Sequence, residues 1–228
     1  MKLLIFGNGD IANLAFVNFK NQNRYKISGF VLDKKFINKN KHNNLPIFAY
    51  ETLLATHPPK NYKLFIGLGL GDLNLDRKKV FIESQNYGYE LVNCLTKNCA
   101  IYSSNIGINN LILDNVVIQP FCKLGDNNII APNSVIGHNS VLGSHNYIGP
   151  NVSLCGFNEV ESLNFIGANS TVSGHVKIRN SNYLGPSVNV FSDIKSNKTI
   201  LNKNSNILKI NSLSFIRLIK NLKQKPIT

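Results

Sequence analysis

The 228-residue sequence predicts an α/β domain followed by an all-β domain, a parallel β-helix of about five coils, with a helix near the C-terminus. Two observations carry this prediction. From Ile106 to Val190 every sixth residue is Ile, Leu or Val, fifteen positions in succession. Ahead of that run, "KLLIFGNGDIANLAFVNF" (2–19) reads as a strand, a glycine-rich turn and a helix.

Composition sets the frame. With 43% hydrophobic and 16% charged residues the chain can bury a real core. No apolar run reaches the length of a membrane span, and "MKLLIFGNGD" breaks after four apolar residues, too short for a signal-peptide core, so a cytoplasmic location without membrane insertion is expected. The four cysteines (Cys94, Cys99, Cys122, Cys155) show no C-x-x-C spacing and are expected to be reduced. The net charge of +13 is uneven: 14 basic against 7 acidic residues in 1–100, 3 against 4 in 101–192, and 8 against 1 in 193–228. Zinc-finger, helix-turn-helix and aromatic-rich RNA-binding patterns are missing from the sequence, so nucleic acid is not the expected partner.

In the first 100 residues, Gly7, Gly9 and Ala12 follow the G-x-G-x-x-G/A pattern, and Asp33 ends the next strand, "KISGFVLD" (26–33). A third strand, "KLFIGLG" (63–69), leads to a helix near "DLNLDRKKVFIESQ" (72–85), and "YELVNC" (89–94) suggests a fourth. This is a Rossmann-like unit. Glycines let the backbone approach a phosphate at a helix N-terminus, and a carboxylate can accept hydrogen bonds from a ribose or base. The substrate-binding candidates here are Gly7, Asn8, Gly9, Asp33, Gly67 and Gly69. About 100 residues is too little for both halves of a dinucleotide fold, so one mononucleotide is expected.

A strict period of six suits neither an α-helix nor a simple strand, but it suits a solenoid with one short flat side per hexad. Residues 103–192 make fifteen hexads, hence five coils of eighteen. Glycine follows the aliphatic residue seven times, at 107, 125, 137, 143, 149, 167 and 185, and only Ser, Asn, Val or Cys stands two residues before it. Small residues at fixed phase suit a chain that turns a corner every six residues. The period predicts domains at 1–100, 101–195 and 196–228, the last a basic extension. Its segment "SLSFIRLIKNL" places Leu213, Ile216, Ile219 and Leu222 on one helical face with Ser212 as a cap.

The segments "NSVIGH", "NSVLGS" and "HNYIGP" resemble the hexapeptide repeat of left-handed β-helix acyltransferases. The left hand is implied by that resemblance, since parallel crossovers are otherwise right-handed. In its domain order the chain, over residues 1–192, resembles the sugar acetyltransferase family that includes bacterial bacillosamine N-acetyltransferases and sialic acid O-acetyltransferases. The resemblance implies a first domain that holds the nucleotide of an activated sugar, a homotrimer, acetyl-CoA between neighbouring β-helices, and no metal. It places the basic histidine, in the family's V-I-E-H-[DE] segment, on His138 of "SVIGHN", with Asn139 where a carboxylate is usual, and the oxyanion donor on Gly156. The family's second histidine falls on Tyr147, while His145 stands two positions earlier as a candidate substrate contact across the trimer interface. Gly174 and His175 are candidates for the cofactor groove.

The eighteen-residue period supports this placement independently. Residues eighteen apart stack like neighbouring strands, so the column above His138 is Gly156 and Gly174, and the next column is Asn139, Phe157 and His175. A histidine below two residues without bulk describes a slot fit for a pantetheine arm. The expected activity is acetyl-CoA-dependent N-acetylation of a nucleotide-linked amino sugar for surface glycan biosynthesis. O-acetylation of a sugar or sialic acid is the alternative within the family, and a non-catalytic β-helix the alternative outside it. The gaps among His138, His145 and His175 do not fit the zinc site of a γ-type carbonic anhydrase, and the first domain is too small for a sugar nucleotidyltransferase. His42 and His57 are expected in loops away from the chemistry.

Overall fold

The computed structural model describes residues 1–69, 71–203 and Ser214. The predicted helix over 213–222 lies outside the described residues. The N-terminal sheet contains β1 (Lys2–Phe6), β2 (Lys26–Leu32), β3 (Lys41–His42), β4 (Leu45–Ala49) and β5 (Tyr62–Ile66), in the order β3-β4-β2-β1-β5. All pairs are parallel except β3 with β4. Continuous apolar runs such as Leu3–Phe6 are buried on both faces, as a covered parallel sheet requires. Helix α1 (Asp10–Gln22) follows β1, the short α2 (Leu53–Thr56) follows β4, and α3 (Leu75–Asn86) follows β5. The expected fourth strand at 89–94 divides instead. Leu91 makes a single bridge to Leu64, and Cys94–Leu95 already belongs to the β-helix.

The β-helix is a triangular prism with sheets of seven, six and four short parallel strands. The four-stranded face stacks Lys123–Leu124, Val141–Leu142, Glu159–Val160 and Lys177–Ile178, each eighteen residues beyond the last. Every hexad aliphatic from Ile112 to Val190 points inward and is buried, giving one continuous core along the axis. The helix starts at Cys94, earlier than the expected 101, and the coil below Leu111 and Val117 is one residue short (111 − 94 = 17; 117 − 100 = 17). The last coil is short by two, since Ile194 bridges Ile178 and Thr199 pairs with Tyr183 (194 − 178 = 16; 199 − 183 = 16). That shortening is why the period of six fails after Val190.

Each corner turns on a residue of positive φ. From Asn109 to Ser187 every sixth residue has φ between 55° and 66°, fourteen corners in all, and seven of them are Asn. Asn tolerates the left-handed region, which costs most side chains roughly 1–2 kcal/mol. The glycines expected to make the turns stand two residues earlier and have ordinary torsions. Their requirement is space: a Cβ on Gly137 would lie 2.5 Å from the Cys155 carbonyl carbon and 2.6 Å from Gly156 N.

The first domain packs on the seven-stranded face. Ala15 and Phe19 of α1 share a core with Leu111, Leu113, Ile129 and half-buried Tyr147. At the adjoining corner Asn109 Nδ2 donates to Asn127 Oδ1 (2.7 Å), Asn127 Nδ2 lies 2.8 Å from His145 Nδ1, and Asn74 donates to the His145 carbonyl (3.0 Å). His145 is 8% exposed, with its ring edge-on to Phe81 of α3. It is therefore part of the seam between domains and is not open to a substrate from a neighbouring subunit, which corrects the expectation for this residue.

Burial, with Lys78 and Arg77 nearby, pushes the His145 pKa down to about 4 from 6.5. The unfolded chain therefore takes up the proton first as pH falls. The stability that His145 contributes is present above pH 6.5 and is lost as pH falls from there through 4. His145→Asn would continue the Asn109–Asn127 column without a titrating ring. Urea denaturation between pH 7 and 4.5 should show a shallower loss of stability for the variant than for the wild type, and equal slopes would remove His145 from the acid response.

Candidate active site

Two regions could bind small molecules, and they lie on different parts of the chain. The first is a cavity of about 670 Å³ at the carboxyl ends of β2, β1 and β5. Open α/β sheets bind ligands at that edge. Gly7, Asn8, Gly9, Asp33, Gly67 and Gly69 all line it, so the fold gathers residues expected together from three separate segments. Gly7 is held at φ +105°, and a Cβ there would come within 3.0 Å of Gly67 O. Gly67 lets Ala12 approach closely, since its Cβ would stand 2.8 Å from Ala12 Cα. A Cβ on Gly9 would meet nothing within 4 Å, so this glycine borders open space at the start of α1. Lys35, Phe36, Asp76, Lys79 and Glu83 also line it. Nothing in the local sequence set these side chains apart; the fold of β5 onto α3 and the turn after β2 bring them in.

The second region is the prism edge between the six-stranded and four-stranded faces, where the chain turns at 137–140 between Val135–Ile136 and Val141–Leu142. His138 is exposed there, and its backbone N–H donates to Gln119 Oε1 (2.8 Å). A Cβ on Gly156 would lie 2.8 Å from His138 Cε1 and Nε2, so only glycine leaves room for the ring. Gly174 continues the column, and a Cβ there would be 3.2 Å from Gly156 O. Neighbouring coils exchange hydrogen bonds along this edge: Phe157 N–H donates to His138 O (2.9 Å) and His175 N–H to Gly156 O (3.2 Å). The Gly156 N–H has no protein acceptor among the described residues. One wall of the groove is Phe157, edge-to-face with His138 at 5.0 Å and stacked on His175 at 4.7 Å. Sequence spacing pointed to Gly156, Gly174 and His175; Phe157 is the wall residue whose contact only the structure shows.

The Asn139 amide lies 3.0 Å from His138 Nδ1. The atom facing Nδ1 is Nδ2, which donates to it and leaves the proton on Nε2; rotation of the amide brings Oδ1 there instead, which accepts a hydrogen bond from Nδ1–H and leaves Nε2 as the free base. Asn139 thus orients the ring without supplying charge. Tyr147 does not belong to this edge. It stands on the seven-stranded face, stacked with Phe165 at 5.0 Å, and Phe165 in turn stacks on Tyr183 at 4.7 Å. His138, His145 and His175 do not converge: the Phe157 ring lies between the first and third, and His145 occupies another corner.

Residues 103–138 match the family model described as bacterial transferase hexapeptide (six repeats). These are hexapeptide-repeat coils. Solved structures extend the likeness to nearly the whole chain and to a left-handed β-helix behind a small α/β domain. PerB from Caulobacter crescentus, in complex with CoA and GDP-perosamine, superposes with a TM-score of 0.78 at 21% identity, covering 89% of this chain and 94% of that one. The acetyltransferase domain of PglB from Neisseria gonorrhoeae, in complex with acetyl coenzyme A, gives a TM-score of 0.78 at 17% identity over 91% of this chain and 98% of that one. WeeI from Acinetobacter baumannii gives 0.78 at 16% identity over 91% and 100%. A search of curated protein sequences finds no match.

The geometry at Gly156 makes a specific prediction. In Gly156→Val the new side chain would fill the groove above His138. Calorimetry should show acetyl-CoA binding lost while a nucleoside diphosphate still binds; unchanged acetyl-CoA affinity would place the acyl donor elsewhere.

Proposed function

We propose that the protein transfers an acetyl group from acetyl-CoA to the amine of a nucleotide-linked sugar, working as a homotrimer. The observation that carries this reading is the His138 edge, where an exposed imidazole lies beneath an unpaired backbone N–H with no side chain in between. PerB and the PglB domain, which share the fold, are seen with CoA or acetyl-CoA, and PerB with a nucleotide-linked amino sugar. In the proposed reaction the neutral amine attacks the thioester carbonyl, and the oxyanion that forms is held by the Gly156 N–H. His138 Nε2 accepts the amine proton, and the same proton can pass to the departing thiolate. Asp33 and the glycines of the first cavity hold the nucleotide.

The placement of the two regions supports an assembly in which neighbouring copies share the site. Within one chain the first domain covers the seven-stranded face, and the His138 edge lies opposite that face, between the other two. A nucleotide sugar held by one copy therefore meets the His138 of a neighbour, and the exposed edge gains its facing wall from that neighbour. An amide at Asn139 suits an amine acceptor, because a hydroxyl must be deprotonated during attack and asks for a stronger base.

The test is thiol release from acetyl-CoA with UDP-, GDP- and dTDP-linked amino sugars. One of these should support turnover in the wild type, and His138→Ala should lower it by roughly 10² to 10⁴ while acetyl-CoA still binds. Release with hydroxyl acceptors alone would overturn the choice of nitrogen, and full activity in the variant would overturn His138 as the base.

A further inference from the structure

Arg77 is the largest fully buried side chain of the described residues, at 0% exposure. None of the described carboxylates pairs with it. Its guanidinium is solvated by main-chain carbonyls of both domains. Nη1 donates to Ile66 O and to Leu68 O (3.1 Å), Nη2 to Asn109 O (3.1 Å), and Nε to Asn127 O (3.4 Å). The Phe65 ring lies 5.6 Å below it. A buried cation without a counter-ion is costly, and the fold keeps one directly behind the loop that closes the first cavity.

The direction of those bonds has a consequence for the loop. A trans peptide points its C=O and the following N–H to opposite sides, and the described backbone contains no cis bond. With the Leu68 carbonyl turned to Arg77, the Gly69 N–H points away from Arg77. Gly67, Leu68 and Gly69 line the cavity whereas Arg77 does not. The Gly67 N–H is already taken by Phe6 O (2.7 Å), but the Gly69 N–H has no protein acceptor among the described residues. Lys35 and Lys79 line the same cavity.

We infer that Arg77 is a positioning residue for a diphosphate: by holding the Ile66 and Leu68 carbonyls it aims the Gly69 N–H into the cavity, and its unpaired charge stands behind the anion that this N–H receives. The inference rests on the nucleotide-linked substrate proposed above. It also gives Arg77 a second effect, since the same guanidinium ties the loop to the β-helix carbonyls of Asn109 and Asn127 and so fixes the cavity relative to the prism.

Calorimetric titration with UDP, GDP and dTDP, and separately with CoA, tests it on the full chain. Arg77→Lys keeps the charge but offers one nitrogen in place of three, so it cannot hold the loop carbonyls and those of Asn109 and Asn127 at once, and Arg77→Met removes both functions. Gly69→Pro removes the N–H and fixes φ near −65°, at a site where the nearest foreign atom to a Cβ is Ile11 Cγ1 at 3.7 Å, and Gly69→Ala, which keeps the N–H, controls for the added bulk. Both Arg77 variants and Gly69→Pro should raise the Kd of the preferred nucleoside diphosphate about tenfold or more, the loss expected for one hydrogen bond to a charged group, with CoA affinity held within about twofold. A purely structural Arg77 would weaken both ligands together. If the Arg77 variants fail to fold, Gly69→Pro decides: unchanged diphosphate affinity there overturns the inference. A wild type that binds none of the three diphosphates overturns the inference together with the nucleotide reading, whereas wild-type binding with unaffected variants overturns the inference alone.

Discussion

The coils are held at a fixed rise by a column of buried asparagines inside one corner, and the rest of the molecule depends on that spacing. Asn110, Asn128, Asn146 and Asn164 each accept, through Oδ1, the backbone N–H of the residue eighteen later, and Asn93 and Asn182 extend the column to the shortened end coils. All of Asn110 to Asn182 in this column are 0–1% exposed. Losing such a bond would leave a buried amide oxygen unpaired at a cost of about 1–3 kcal/mol, and in this column the Asn146 and Asn164 Nδ2 atoms are already without a partner among the described residues, so the Oδ1 bonds are what fix each coil at one height. Ser134, Ser140, Asn158 and Ser170 do the same at the other corners. A slip of register would break these bonds throughout, and the aliphatic core would lose its stacking with them.

Fixed height is what turns a histidine and a glycine eighteen residues apart into a site. No loop has to be ordered around His138, because the groove is bounded by columns that the repeat already builds: Gly156 and Gly174 as its floor, Phe157 and His175 as a wall. Phe157 and His175 occupy corner positions with φ of 61° and 63°, where asparagine is the commoner choice. Bulky side chains in that region carry strain, and strain retained beside an exposed imidazole agrees with a role in shaping the groove. The nucleotide side is built by different means. There, glycine torsions and a buried guanidinium set a loop against the same prism.

Much of this was legible in the sequence, for a physical reason. A repeat contributes its contacts at constant separation, so the period alone predicted the column His138–Gly156–Gly174, and the G-x-G-x-x-A pattern, Asp33 and the glycines that end the third strand predicted six residues that share one cavity. What stayed hidden depends on contacts between unlike parts. Arg77 sits in a "DRKK" run that reads as a solvated helix face, and only the packing of α3 on the corner buries it. His145 keeps the repeat phase of a corner residue, so its sequence position says nothing of the Phe81 ring that covers it. The role of the corner glycines was also misplaced, since the positive torsion belongs to the residue two positions on and the glycine answers to the coil above.

In the proposed assembly acyl donor and nucleotide meet between copies, at the His138 edge of one and the glycine-lined cavity of another. A crystal structure with CoA and a nucleotide-linked amino sugar bound together tests it most directly. The CoA thiol should stand beside His138 and Gly156 of one copy, the diphosphate at the Gly7–Gly9 and Gly67–Gly69 loops of its neighbour, and the sugar amine should reach His138 Nε2 between them. CoA on another edge of the prism, or both ligands completing a site within a single copy, would contradict it.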